Sequence, residues 1–514
     1  MPNEVIDPVF QLIKSLTRSE KRHFRLFTNR QGSNEGLKFL QLFDAMDKQA
    51  HYNEEKILEQ APRIKKEQLA NLKANLYKQL LSSLRLYHAN HNPDIQLQEQ
   101  LGYARILYNK GFYQQSLKML DKVKIAARQS ELPHIALLAI DFEKQIESQY
   151  ITRSLHGRAE ALSAEAIDLA LHVSRAHELS NTSLRLYGLY LQTGHARNQK
   201  DFEQMKAFFK ANLPVIDLKT ASFIERIHYY QAYVWYLYVI QDFKACYRYA
   251  QKWVDLFEEN PNLKHSHTTL YIKGLHNLLA ALYNLQYYSK FEQVLKAMEN
   301  FATDKDRRSS PNIDLLLFMY LNNNRINAYF MRGAFSEGIQ IIPELLRQLK
   351  QHQQQLDPHR MLVFYFKIAS LYFGSGDNHI AIKYLNKIIQ AKDSNLREDI
   401  QCFARILNLI AHYEAGEDYE LEYQIRSVYR FLGKMNDQQQ MQVEIFKFLR
   451  SLGTITPLEL KGAFITLKEK LIAIAAQPFE RRPFLYLDII SWLESKIEQV
   501  PVQEIMARKF NHLK

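Results

Sequence analysis

The chain has 514 residues, 46% of them hydrophobic and 24% charged, with 67 Lys and Arg against 55 Asp and Glu for a net charge of +12. Its 16 glycines and 14 prolines are about 3% each against typical usages near 7% and 5%, so turns are few and elements long, and the apolar content excludes disorder. Two cysteines, Cys246 and Cys402, exclude a disulfide framework and any CxxC zinc or redox motif, and the strongest apolar run, Tyr229 to Ile240, is shorter than the roughly 18 residues a membrane span needs.

The first residues carry Glu4 and Asp7 and no stretch apolar enough for a signal peptide, so a reduced, cytoplasmic setting is expected. Thr17-Arg18-Ser19-Glu20 is a capping box that starts a helix running to about Thr28. Further helices are expected at 35–48, 53–61 and 65–89, the last with Leu69, Leu72, Leu76, Leu80 and Leu84 along one face. Arg18, Lys21, Arg22 and Arg25 follow the i, i+3, i+4, i+7 spacing of a single stripe. The first 92 residues hold 15 Lys or Arg and 10 Asp or Glu. With the turn at Pro62, helices 53–61 and 65–89 can be read as a helix-turn-helix that sets Lys65, Lys66 and Lys73 on phosphates, or as a solvated basic cap. His88, His91 and Asp94 could surround a metal if the helix continued, but Pro93 makes a frayed helix end the simpler reading, and no metal site is expected.

From about Leu101 to Gly433 one phrase recurs: an apolar helix, a tight turn, an aromatic about two residues on, then a second amphipathic helix. The clearest turns are Gly111-Phe112-Tyr113, Gly333-Ala334-Phe335, Gly376-Asp377-Asn378 and Gly416-Glu417-Asp418-Tyr419; weaker ones fall at Gly157, Lys200-Asp201-Phe202, Gln241-Asp242-Phe243 and Gln286-Tyr287-Tyr288. They recur about every 44 residues, within the period range of helical arrays, and about eight units fit. Around Gly376 the apolar residues Ile380, Ala381, Tyr384, Leu385, Ile388 and Ile389 form the stripe of an amphipathic helix. Tyr229, Tyr230, Tyr233, Trp235, Tyr236 and Tyr238, continued by Phe243, Tyr247, Tyr249, Trp253 and Phe257, cover more than one helix face, so most of them are expected in a core.

The cadence resembles the tetratricopeptide repeat: Ala369 inside the first helix, Tyr372 three later, the turn Gly376-Asp377, Ala381 five after the glycine, then Leu385 and Ile388. Tyr329, Phe335, Gly338 and Ile342 repeat it around Gly333. The period is longer than the standard unit of 34 residues, a difference that longer helices absorb. The resemblance implies an all-α chain, an α-solenoid of about eight stacked antiparallel helix hairpins that binds partners on its concave face. It also places Asn277, Asn324 and Lys367 at equivalent groove-facing positions of successive first helices, with Asn323 and Asn327 one helical step away and Lys273 and Tyr283 on the preceding unit's exposed face. Asparagine is a poor helix former, so the run at Asn322–Asn324 followed by Asn327 needs compensation, which amides aimed at a peptide backbone would provide, while Lys273 and Lys367 could hold a carboxylate.

After Gly433 the phrase is lost; Thr456-Pro457-Leu458-Glu459 starts a helix and another follows Pro483. The expected domains are therefore a basic helical domain at 1–92, the repeat array at 93–433 and a helical cap at 434–514. There is no GxxxxGK[ST], HExxH or GxSxG, and Gly374-Ser375-Gly376 lacks the third glycine of a dinucleotide loop. No catalytic residue and no cofactor are expected. The leading reading is a non-enzymatic scaffold for a protein or peptide; the alternative is a regulator whose N-terminal domain binds nucleic acid while the array senses a ligand or oligomerises. Neither reading involves a membrane, and oligomeric state has no sequence signal.

Overall fold

The computed structural model describes residues 7–29, 34–89, 92–149, 157–304, 310–353, 355–391, 398–417, 425, 428, 440–451, 455–477, 479–480, 484 and 488–513. Among them the elements are all helical and no strand occurs. His91, Asp418, Tyr419, Gly433 and Pro483, on which parts of the sequence reading fall, lie outside the described residues. None of the described helices is long and apolar enough to cross a membrane. The chain forms two compact units, Met1–Val173 and Ser174–Lys514.

The first unit begins with α1 (Pro8–Ser15), where Asp7 accepts the Val9 and Phe10 N–H groups at 3.0 Å and Pro8 takes the first helical position. In α2 (Arg18–Asn29) the expected box forms: Glu20 accepts the Thr17 N–H at 2.7 Å, and its own N–H donates to the Thr17 hydroxyl at 3.2 Å. Helices α3 (Asn34–Lys48), α4 (Glu54–Gln60) and α5 (Lys66–Ala89) complete this part, with Ile13, Phe24, Phe43, Met46, Ile57, Leu69, Leu76 and Leu80 buried together. A second cluster, including Leu120, Val123, Ile135 and Ile140, joins α6 (Pro93–Asn109), α7 (Tyr113–Gln129) and α8 (Pro133–Glu147) to the start of α9 (Arg158–Thr193). There the Glu143 carboxylate, fully enclosed, is neutralised by Lys124 at 2.5 Å and by Arg158, as a buried charge must be.

The second unit takes up the rest of α9 and continues through α10 (Gln199–Asn212), α11 (Phe223–Val239), α12 (Phe243–Glu259), α13 (Leu263–Ser266), α14 (Thr268–Asn284), α15 (Tyr288–Thr303) and α16 (Pro311–Arg332). It then runs through α17 (Phe335–Gly338), α18 (Ile342–Gln351), α19 (Pro358–Ser375), α20 (Asn378–Ile389), α21 (Glu398–Glu414), α22 (Gln440–Ser451), α23 (Pro457–Ala475), α24 (Ile489–Glu498) and α25 (Val502–Leu513). Pro343 explains why one helix is written as α17 and α18: it cannot donate to Ile339, and the intervening Ile339–Ile341 tightens into a 3₁₀ turn.

One turn geometry recurs. Gly111, Gln241, Gln286, Gly333, Gly376 and Gly416 all have positive φ, between 56° and 93°. In each case the next N–H reaches back five residues, Phe112 to Leu107 at 2.9 Å, Asp242 to Leu237 at 2.9 Å, Tyr287 to Leu282 at 3.0 Å, Ala334 to Tyr329 at 3.0 Å, Asp377 to Tyr372 at 2.9 Å and Glu417 to His412 at 3.1 Å. This is the left-handed closure of a helix end. Glu131 makes it too, between α7 and α8, at a position the glycine pattern does not mark. Lys200-Asp201-Phe202, expected as a turn, lies instead in the first turns of α10, because the Asn198 side chain caps the Asp201 N–H at 2.9 Å and the left-handed residue is Gly194.

Within this unit α11 packs on α12, α12 on α14, and α14 on both α15 and α16, which also contact each other. Farther on, α16 and α17 pack on α19, α19 on α20, and α20 on α21. The aromatic block is largely core: Trp253 and Phe257 are fully enclosed, and Tyr233 stacks on Tyr249 at 4.2 Å. At the C-terminal end, Trp492 donates to Glu414 at 2.7 Å and Lys496 pairs with it at 2.6 Å. From there α25 returns to the hairpin turns, with Phe510 edge-on to Tyr288 at 4.7 Å and Ser336 donating to Gln503 at 2.8 Å.

That return constrains Gly333 twice, since a Cβ there would need φ +67 and would stand 2.7 Å from the Ala507 backbone nitrogen, whereas a Cβ at Gly376 meets nothing within 4 Å. Gly376→Ala is expected to cost about 1 kcal/mol of backbone strain. Gly333→Ala should cost clearly more and expose α25, read as a lower denaturation midpoint and faster proteolysis after Gln499. Equal losses for the two variants would show that the α25 contact is not tight.

Candidate ligand-binding face

Three neighbouring helices, α14, α16 and α19, bring the residues singled out in the sequence together with others that sequence reasoning missed. Helical spacing aligns Lys273 with His276 on α14, Tyr320 with Asn324 and Asn327 on α16, and Arg360 with Lys367 on α19.

A directed chain of hydrogen bonds crosses the three helices. The Lys367 amine donates to the Asn327 carbonyl oxygen. The Asn327 amide donates to Asn324 at 3.5 Å, and Asn324 donates to His276 Nδ1 at 3.2 Å and to the Tyr320 carbonyl at 2.8 Å. His276 therefore accepts at Nδ1 and is neutral, and its ring stacks on Tyr320 at 4.1 Å with a 6° interplanar angle. Asn324 and Asn327 are buried, at 0% and 6% exposure. Their poor helix propensity is compensated inside the protein, by partners on adjacent helices.

The electrostatics of this face have one sign. Burial depresses the Lys367 amine to about 7. Burial, reinforced by the Arg360 and Lys367 charges, holds His276 down to about 3. Lys273 is lowered by burial and by Arg360, and burial lowers His228 on α11, with the Lys273 charge adding to it. The Tyr320 hydroxyl is raised by burial, although it is hydrogen bonded to Arg360. Among the described residues, neither Lys273, Arg360 nor Lys367 has a carboxylate partner. The three helices together carry a single acidic residue, Asp314. This near-absence of acid beside several cations is the one sequence signal that points toward the missed residues His276, Tyr320 and Arg360.

The other sequence candidates are placed as follows. Asn277 is half-buried and donates to the Lys273 carbonyl at 2.9 Å. Asn323 is half-buried with no side-chain hydrogen bond among the described residues. Tyr283 lies seven residues beyond His276 on α14, its hydroxyl raised by burial and by Asp488. In the first unit, Lys21 pairs with Asp47 at 2.6 Å, Arg25 with Asp44 at 2.8 Å, and Lys73 with Asp7 at 2.8 Å. Arg18, Arg22, Lys65 and Lys66 are exposed. His88 is engaged by Glu20 at 2.8 Å.

Compared with protein-family models, with curated proteins and with solved structures, the chain finds no match.

The depressed Lys367 amine has a stability consequence. Its folded-state value of about 7 lies below the 10.5 of an ordinary lysine, so between these values the unfolded chain holds the extra proton and stability contributed at this site rises with pH. Lys367→Met removes that dependence. The variant should gain most relative to wild type near pH 6, and its advantage should shrink by pH 9, measured as denaturation midpoints. A gap that stays constant with pH would mean that the amine is not depressed.

Proposed function

We propose that the chain is a non-enzymatic, tetratricopeptide-like helical-repeat scaffold that holds a peptide or a peptide-like segment of a protein against the face of α14, α16 and α19. The recurring left-handed turns and the chain of hairpin contacts support a repeat array of the solenoid type, and the resemblance around Gly333 and Gly376 agrees with it. One observation carries the binding reading: Lys273 on α14 and Arg360 and Lys367 on α19 have no carboxylate partner among the described residues, and α14, α16 and α19 together carry one acidic residue, Asp314. A face needed only for packing would be satisfied by apolar residues at lower desolvation cost. Half-buried Asn277 and Asn323 add amide donors and acceptors of the kind that match a peptide backbone.

The nucleic-acid reading rests on Arg18, Arg22, Lys65 and Lys66, which are exposed. Lys21, Arg25 and Lys73 are spent on carboxylates of their own unit, which leaves fewer free cations for phosphates than the stripe suggested.

A photo-crosslinking side chain at Asn323, compared with one at the exposed Lys296 on α15, tests the scaffold reading in cytosolic extract with and without nuclease. Crosslinks to protein or peptide at position 323 well above those at 296 are expected. Equal yields at the two positions, or capture that disappears with nuclease, would count against it.

A further inference from the structure

The cationic groups of this face repel one another and have no counter-ion among the described residues. Arg360 works against the charge of both Lys273 and His276, and Lys367 works against that of His276. Among the described residues Lys367 is held by the Asn327 amide, with the Phe330 ring 5.5 Å away. Of the helices packed on α19, α16 offers it this amide and ring; α17, α20, α21 and α25 set no charged group beside it. Natural interiors neutralise such groups, as the same chain does at Glu143 with Lys124 and Arg158. Here the neutralising group is absent from the chain's own described residues.

We propose that α14, α16 and α19 form a binding site for an acidic peptide, in which side-chain carboxylates of the ligand meet Lys273, Arg360 and Lys367. The proposal rests on the peptide-binding reading and narrows it to a ligand class. Arg360 presents the planar fork suited to a carboxylate, and the Tyr320 hydroxyl, already hydrogen bonded to it, fixes its direction. Lys367 stands seven residues further along α19, about 10 Å at 1.5 Å per residue. One carboxylate cannot meet both cations. Two acidic side chains three residues apart, one turn of a polyproline II peptide at about 3.1 Å per residue, cover that distance on one face, which a C-terminal carboxylate alone does not.

Binding also takes up a proton. Lys367 is about half protonated near pH 7 in the free protein, and a carboxylate beside it favours the charged form. His276, held near 3, stays neutral throughout this range and does not contribute. If the ligand requires charged Lys367, apparent affinity falls about tenfold from pH 6 to pH 8.

The experiment is calorimetric titration of the full chain at pH 6 and pH 8 with acetylated, amidated hexaglutamate, and with hexaglutamine bearing a free C-terminus. Hexaglutamate should bind, about tenfold more tightly at pH 6. Arg360→Gln should weaken it by about tenfold or more, and Lys367→Arg, permanently charged, should keep binding and lose the pH dependence. The exposed pair Lys65→Gln with Lys66→Gln should change nothing beyond a small salt-sensitive effect. Circular dichroism melts establish that each variant is folded, and Lys367→Met replaces Lys367→Arg if the larger head does not fit, with binding then expected to weaken at pH 6. Hexaglutamate binding no better than hexaglutamine, or unaffected by Arg360→Gln but lost with Lys65 and Lys66, overturns the proposal. In those cases continued crosslinking at Asn323 would leave the peptide-binding reading standing, whereas its loss would remove that reading as well.

Discussion

Everything in the second unit follows from how its helices are made to reverse. A single residue in the left-handed region, followed by an N–H that reaches back five residues, closes the helix and turns the chain into the next one. Glycine does this without strain at Gly333, Gly376 and Gly416, while Gln241 and Gln286 accept the conformation at a cost of about 1 kcal/mol each. Because the closure is the same from α11 to α20, the first helices of neighbouring hairpins come into contact, α14 with α16 and α16 with α19. Close packing at the turns keeps them there: Gly374 leaves room for the Phe335 ring, and Gly338 for Leu371 and Tyr329.

The polar chain from Lys367 through Asn327 and Asn324 to His276 is a consequence of that alignment. Each donor points the same way, from the cation toward the neutral imidazole, so an interruption leaves one buried group unpaired on either side. An orphaned buried group costs about 1 to 3 kcal/mol. The chain accordingly fixes the register of α14, α16 and α19 as much as apolar packing does. Its outer members are a different matter: Lys273 and the Lys367 amine gain nothing in stability from their placement, since burial works against their charge. Cations held against both desolvation and mutual repulsion make physical sense as half of an ion pair whose other half is supplied by a ligand.

Much of this was legible in the residues, for stated reasons. Long apolar stripes such as Leu69, Leu76 and Leu80 mark helices irrespective of partners, and the capping boxes at Thr17 and Thr456 announce their starts. Turns were legible where glycine stood at the left-handed position, less so where glutamine did, and misplaced at Lys200, where an aromatic two residues on imitated the phrase but Asn198 had already started the helix. The face itself was found through asparagines that helix propensity disfavours. Whether those amides point to solvent or to the next helix depends on a rotation of a few tens of degrees, below what spacing resolves, so Asn324 and Asn327 turned out buried. His276, Tyr320 and Arg360 carried no unusual propensity and emerged only when three helices far apart in the chain were brought side by side.

The cationic face requires that the Lys367 amine be as poorly compensated as its surroundings imply. The direct measurement is its titration in the full chain, followed by NMR of carbon-labelled lysine side chains with the signal assigned through Lys367→Met. A midpoint at about 7 is predicted, moving upward when hexaglutamate is bound. A midpoint near 10.5, the value of a hydrated lysine, with or without the peptide, would contradict both the enclosed polar chain and the cationic face built on it.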